Sequence, residues 1–216
     1  QLKRTKFIWK GNIGKFLQER DILFLVDGTQ GLGGLELPAE TLQYIDVLSC
    51  ASYKWLLGPY GHAFGHFSEK AQKLIKHKSA NWVTSPSSKN VYDLLDYTTR
   101  TLPGARKYDR GQTANMLTMS ALSGSLSFLK DIGLRNIQEY NKRLKNYFWD
   151  NFDPRNYEII TPHSSISNIV ALKSNKPIEI ENILKEKNID VSIREGNIRI
   201  SFHINNTIDQ IDTLLA

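Results

Sequence analysis

Cysteine is nearly absent from this chain. Cys50 is the only one in 216 residues, which excludes an internal disulfide and agrees with a reducing compartment. Long apolar runs are missing too. The longest is Ile22 to Val26, far short of the roughly 20 residues that a membrane-spanning helix needs. No basic-then-apolar leader opens the chain, so the expected location is cytoplasmic, with no membrane partner. Internal repeats and low-complexity tracts are also lacking. Gly28, Gly31, Gly33 and Gly34 lack the spacing of a dinucleotide fingerprint and the terminal Gly-Lys-Ser/Thr of a phosphate loop, so both nucleotide readings fall.

What is present is the composition of a folded globular chain, 40% hydrophobic and 23% charged, long enough for one domain or two small ones. The formal charge of +6 raises the question of a nucleic-acid partner. The basic residues are scattered, however. Lys70, Lys73, Lys76 and Lys78 lie at near-helical spacing around Leu74 and Ile75, as on the wet face of an amphipathic helix, and no nucleic-acid partner is expected.

Periodicity organises the rest. Asn12 is a candidate cap for a helix that places Ile13, Phe16 and Leu17 on one face. The uniformly apolar Ile22 to Val26 that follows reads as a buried strand of a parallel sheet covered on both faces, so the predicted fold class is α/β. A second strand is expected at Asp46 to Leu48, and a helix capped by Ser68 is expected to run to about Lys78. Residues 81–110 are rich in Ser, Pro, Thr and Gly and read as a long functional loop region with a brief helical pattern at Val91 to Leu95. Met116, Met119, Leu122, Leu126 and Leu129 recur at helical spacing, and a second helix follows Gly133 to about Phe148. A domain boundary is expected near Asp131, dividing the chain into 1–130 and 131–216. The second part reads as strands at Tyr157 to Ile160 and Asn168 to Leu172 and a helix at Ile178 to Lys187. Strands near Val191 and at Ile198 to Ser201 come next, and a helix from Thr207 closes the chain.

Asp27 stands directly after the apolar strand, at the carboxyl end where open α/β sheets place their ligand crevice. The glycines behind it let backbone approach a ligand, and Gln30 offers a neutral donor and acceptor from the same turn. Lys54 sits among aromatic and apolar residues before the tight turn Gly58-Pro59-Tyr60-Gly61. A lysine in such company loses some preference for its charged form, which frees the amine for Schiff-base chemistry; a lysine snorkelling past Trp55 to water is the alternative. His62 and His66 fall in an extended segment, where four residues span about 13 Å, too far for one ion. No metal is expected.

The run Val26-Asp27-Gly28-Thr29-Gln30, with Tyr53-Lys54-Trp55 and Gly58-Pro59-Tyr60-Gly61, resembles class V aminotransferases, pyridoxal-phosphate enzymes of fold type I. The resemblance implies the large domain of a three-layer αβα fold followed by a small αβ domain. It implies that Lys54 carries pyridoxal 5'-phosphate as a Schiff base and that Asp27 pairs with the pyridinium nitrogen, so that the ring acts as an electron sink. Gln30 would contact the ring hydroxyl and Tyr53, as in kynureninase-like members, the phosphate. Ala51 occupies a position that often carries serine, which removes one donor from the phosphate site.

Tyr108-Asp109-Arg110-Gly111-Gln112-Thr113-Ala114-Asn115 is similar to the family's glycine-threonine turn, with one extra residue. By that likeness Gln112 and Thr113 reach the phosphate of a neighbouring subunit in a homodimer; a helix cap by Thr113 is the plainer reading. Ile198-Arg199-Ile200-Ser201 looks like the closing motif, in which Arg199, with Arg194 in reserve, pairs with the carboxylate of an amino-acid substrate. Asn205 replaces the tyrosine usual there.

The resemblance covers nearly the whole chain but only the second half of a family member. Since the first residue is Gln1 and not Met, a partial sequence is expected, one that binds the cofactor poorly alone. Transamination is the default reaction, with Lys54 as general base. Kynureninase-like cleavage, racemisation or epimerisation would use the same residues, whereas desulfurases need a nucleophilic cysteine shortly before the closing arginine, and none is there. A non-catalytic remnant serving as a binding or dimerisation module is the rival reading.

Overall fold

The structure, a computed structural model, describes residues 12–76, 81–90, 92, 95, 98–111, 115–155 and 157–216. Outside them lie Gln112 and Thr113, most of the helical pattern at Val91 to Leu95, and Lys78; the side chain of Asn12, the expected cap, is likewise not described. The chain forms two compact units. One comprises residues 12–30 and Pro38–Phe128; the other joins Gly31–Leu37 to Leu129–Ala216.

In the first unit, helix α1 (Asn12–Gln18) leads to strand β1 (Leu25–Asp27), which pairs in parallel with β2 (Val47–Ala51) in the register Val26 to Leu48 and Asp27 to Ser49. Strand β3 (Ala63–Phe67) runs antiparallel to β2, giving the order β1-β2-β3. The expected buried strand is therefore corrected. It starts at Leu25 rather than Ile22, and only Val26 is buried, while Ile22 is 47% and Leu25 64% exposed. An unbroken apolar run signals cover on both faces, but among the described residues β1 pairs with β2 alone, and Leu25 and Asp27 are exposed on either side of the buried Val26.

Ser68 caps helix α2 (Glu69–Leu74) by accepting the N–H of Ala71, as its position before the helical pattern predicts, although the helix stops short of Lys78. The loop region contains short 3-10 turns at Trp82–Thr84, Pro86–Lys89 and Gly104–Tyr108. The first is fixed by a reciprocal cap between Asn81 and Thr84. Helix α3 (Met116–Ile132) follows and leads out of this unit.

The second unit holds the larger core. Helix α4 (Leu134–Asn151) presents Ile137, Leu144 and Phe148 as its buried apolar stripe. Strands β4 (Glu158–Ile159) and β5 (Ile169–Lys173), helix α5 (Pro177–Glu186), and strands β6 (Ser192–Arg194) and β7 (Asn197–Ser201) follow, and α6 (Ile208–Leu215) ends the chain. The sheet order is β4-β5-β7-β6 and every pairing is antiparallel. Alternation along β5 and β7 sends Val170, Leu172, Ile198 and Ile200 to one face, against Leu144, Phe148 and Ile211. Thr207 closes a capping box with Gln210, which explains why α6 begins where it does.

Gly31–Leu37 belongs to this second unit for a visible reason. Asn168, 4% exposed, donates its amide to the Gly34 carbonyl at 3.0 Å, and Gln138 accepts the Glu36 N–H at 2.9 Å. The close backbone approach expected of these glycines toward a ligand is, at Gly34, an approach to a protein side chain.

Candidate active site

Parallel pairing of β1 and β2 brings the carboxyl ends of both strands to one edge of the sheet. Asp27 ends β1, and the Lys54 loop leaves β2 three residues beyond Ala51. Two segments that the sequence separates by 27 positions therefore meet because their strands run the same way.

Hydrogen bonds lace them together. Gly28 N–H donates to the Ser49 carbonyl at 2.7 Å, and Ala51 N–H donates to Thr29 Oγ1 at 3.0 Å. The buried Trp55 reaches back across the same gap and donates its indole N–H to Gln30 Oε1 at 3.4 Å. Thr29 also donates its N–H to Asp27 Oδ1 at 2.9 Å, an Asx turn that fixes the carboxylate at the strand end.

Hydrogen bonds from Thr29 hold the Asp27 carboxyl below the usual carboxylate range, and the positive charge of Lys54 adds to the effect. The charge of Lys54 is thus felt at Asp27. Yet Lys54 Nζ forms no hydrogen bond or ion pair among the described residues, and it lies 5.6 Å from the centroid of the Tyr53 ring. The Tyr53 hydroxyl has no hydrogen-bond partner among the described residues either. An anionic carboxylate, an uncommitted amine and an uncommitted phenol on one laced edge form a donor set that suits a small ligand with a basic ring nitrogen, an aldehyde and an acid group.

The loop carrying Lys54 is held by a residue that the sequence reading passed over. Ser52 is fully buried, and its hydroxyl lies 2.8 Å from the Pro59 carbonyl and 3.0 Å from that of His62, with the first as acceptor. Its N–H donates to His62 O, and its carbonyl accepts Gly58 N–H. Inside that closure Leu57 takes a left-handed φ of 54° and Gly61 one of 87°. Tyr60 stacks on Tyr53 with centroids 4.4 Å apart. The available signal for Ser52 was its place beside the apolar strand end and before a Gly-Pro turn, where a small hydroxyl closes a loop.

The remaining candidates sort as follows. Cys50 is buried, and desolvation, with the charge of Asp27 behind it, pushes its thiol up to about 11, as befits a packed residue rather than a nucleophile. His62 Nε2 meets Thr118 Oγ1 at 3.1 Å, whereas His66 lies within β3. His203 Nδ1 accepts the Ile204 N–H at 2.8 Å. Arg199 lies on β7 of the second unit, on the sheet face turned away from the apolar core. Burial first, and the charge of Arg194 second, hold its guanidinium below the usual arginine range. No described helix is long and apolar enough to cross a membrane.

The family model described as aminotransferase class-V matches residues 10–214. The chain is 24% identical over 202 residues to the uncharacterized aminotransferase YcbU of Bacillus subtilis, covering 92% of this chain and 51% of that protein. It is 25% identical over 152 residues to isopenicillin N epimerase of Amycolatopsis lactamdurans, covering 69% and 38%. The chain therefore spans about half the length of the first of these relatives, and less of the second. Among solved structures, the cysteine desulfurase of Thermococcus onnurineus superposes with a TM-score of 0.75 at 21% identity, over 95% of this chain and 54% of that one. A C-DES variant with glycine covalently linked to its PLP cofactor gives 0.78 at 18%, over 90% and 50%. These likenesses establish the α/β fold of this enzyme group.

Proposed function

We propose, from the premise that this chain belongs to the class V aminotransferase family, that it carries the lysine-bearing part of a pyridoxal-phosphate enzyme acting on an amino acid. The observation behind this reading is that Asp27 and the Lys54 loop leave the same edge of one parallel strand pair. A carboxylate kept ionised and an amine kept out of any described ion pair stand at the carboxyl ends of two parallel strands, and the carboxylate feels the positive charge of the lysine.

Bound there, the cofactor would supply an electron sink for the bonds around an amino acid's α-carbon. The protein's part follows from its own groups. Lys54 would hold the cofactor, and its amine would move a proton at the substrate α-carbon. Asp27 keeps a proton on the ring nitrogen, which its lowered pKa suits it to do at neutral pH. Gln30, braced by Trp55, would contact the ring hydroxyl, and Tyr53 would offer its hydroxyl to the phosphate. Gln112 and Thr113 add donors to a phosphate across a homodimer, and Arg199 takes the substrate carboxylate. We assign transamination over desulfuration because the only thiol, Cys50, is buried with its pKa raised, which supports a packing role. A cytoplasmic location is part of the same proposal, and the single cysteine agrees with a reducing compartment.

The test is spectroscopic. The full-length protein titrated with pyridoxal 5'-phosphate is expected to develop the visible absorbance of a lysine Schiff base, and Lys54→Ala to lose it. Undiminished absorbance in Lys54→Ala overturns the assignment.

A further inference from the structure

Helix α3 meets the first unit along a single stripe. Of its residues up to Phe128, Thr118, Leu122 and Ser125 alone are not exposed, and they recur at helical spacing on one face. All three meet the turn that follows Lys54. Thr118 Oγ1 lies 3.1 Å from His62 Nε2, and Leu122 packs so closely over Gly58 that a Cβ there would stand 2.8 Å from its Cδ1. Ser125 donates its hydroxyl to the Leu57 carbonyl at 2.8 Å.

Leu57 is where the turn is strained. Its φ of 54° is left-handed, a conformation that a residue with a Cβ keeps only when its surroundings enforce it. Side-chain packing does not enforce it, because Leu57 is 41% exposed. Its backbone bonds remain. The Leu57 N–H donates to the Lys54 carbonyl at 3.0 Å, and the Leu57 carbonyl has no donor among the described residues except Ser125. Ser125 Oγ also lies 3.0 Å from the Ala121 carbonyl, the ordinary back-bond of a serine inside a helix. That carbonyl already receives the helical N–H of Ser125. The hydroxyl proton is therefore needed at Leu57 and redundant at Ala121. Trp55 and Leu56 are buried and anchor the middle of the turn, so slack at Leu57 falls on Lys54, whose carbonyl closes it.

We propose that Ser125 is a positioning residue for Lys54: its hydroxyl clasps the strained Leu57 from helix α3 and keeps the lysine-bearing turn closed. This rests on the reading of Lys54 as the cofactor-bearing lysine. Ser125 acts through the Leu57 carbonyl and contributes no group to the chemistry. The strain at Leu57 offsets roughly what its other bond supplies, so without the clasp the closed and open turns are about equally populated, against about five to one with it.

Hydrogen exchange and cofactor capture in the full-length protein test the role together. In cofactor-free Ser125→Ala the amides of Leu57 and Gly58 should exchange about threefold faster, while those of β5 and β7 keep their rates and show the fold intact. On mixing with pyridoxal 5'-phosphate, the visible absorbance of the lysine-bound cofactor should grow about twofold more slowly, since only the closed fraction presents the amine. Ser125→Thr keeps the hydroxyl and should restore both rates. Ser123→Ala makes the same chemical change on the exposed side of the helix and should alter neither. Equal exchange in Ser125→Ala and the parent, or faster exchange with unchanged capture, overturns the proposal. The enzyme reading fails differently. Absorbance that does not depend on Lys54 overturns that reading and the positioning role with it, whereas Lys54-dependent absorbance untouched by Ser125→Ala overturns the positioning role alone.

Discussion

A single methyl group added at Gly58 measures how tightly the Lys54 loop is closed. Built on the backbone, that Cβ meets Leu122 Cδ1 at 2.8 Å, Ser52 Cβ at 2.8 Å and Ser52 Oγ at 3.1 Å. Leu122 can swing its methyl aside. Ser52 cannot move, because it is fully buried and its hydroxyl, N–H and carbonyl are all engaged in the turn. Gly58 has no left-handed φ, so the penalty is steric and not conformational. Overpacking of this kind costs about 1–3 kcal/mol. Gly124→Ala is the matched control: a Cβ there meets nothing within 4 Å, and within helix α3 it should stabilise by about 0.5–1 kcal/mol. Urea denaturation followed by circular dichroism should thus move the two midpoints in opposite directions, at an unchanged slope. Gly58→Ala should also weaken pyridoxal-phosphate binding, since relief of the clash displaces the turn that bears Lys54. A Gly58→Ala protein as stable as the parent would refute the closed-loop account.

Asn141 sits fully buried on α4, and neither of its amide atoms has a hydrogen bond among the described residues; Asn141→Leu should therefore gain about 1–3 kcal/mol in the same denaturation assay, and a loss would reveal an amide partner. Cys50, with its thiol at about 11, exposes about one thiolate in a thousand at pH 8, so iodoacetamide should modify it only in denaturant. Rapid alkylation of the native protein contradicts its packed role. Asp27 titrates below its unfolded value, so its share of stability is complete above the ordinary carboxylate range near pH 4 and is lost as pH falls through the lower folded value. Thr29→Val removes the bonding hydroxyl but keeps the N–H, and should raise the Asp27 pKa and move the acid-unfolding midpoint upward; an unmoved midpoint counts against Thr29 as the cause.

Helices were the most legible part of the fold. The spacing from Met116 to Leu129 and the break at Gly133 predict α3 and α4 nearly to their ends, because each carries a long amphipathic pattern with a clear punctuator. Ser68 and Thr207 announced their helices by side-chain chemistry alone. Strand β1 misled, since an apolar run cannot reveal whether both its faces are covered. The glycines after Asp27 misled in another way: tolerance of close approach is visible in sequence, but that Asn168 approaches Gly34 is not. At the site, Asp27 and Lys54 could be paired through a motif. The closure by Ser52, the Asx turn of Thr29 and the clasp of Ser125 on Leu57 depend on loop geometry, which no local pattern encodes.

Borohydride reduction of the pyridoxal-phosphate-loaded full-length protein, followed by peptide mapping, tests the central claim most directly. The account predicts the reduced pyridoxyl group on the peptide containing Lys54 and on no other. A label on a different lysine, with Lys54 unmodified, would contradict it.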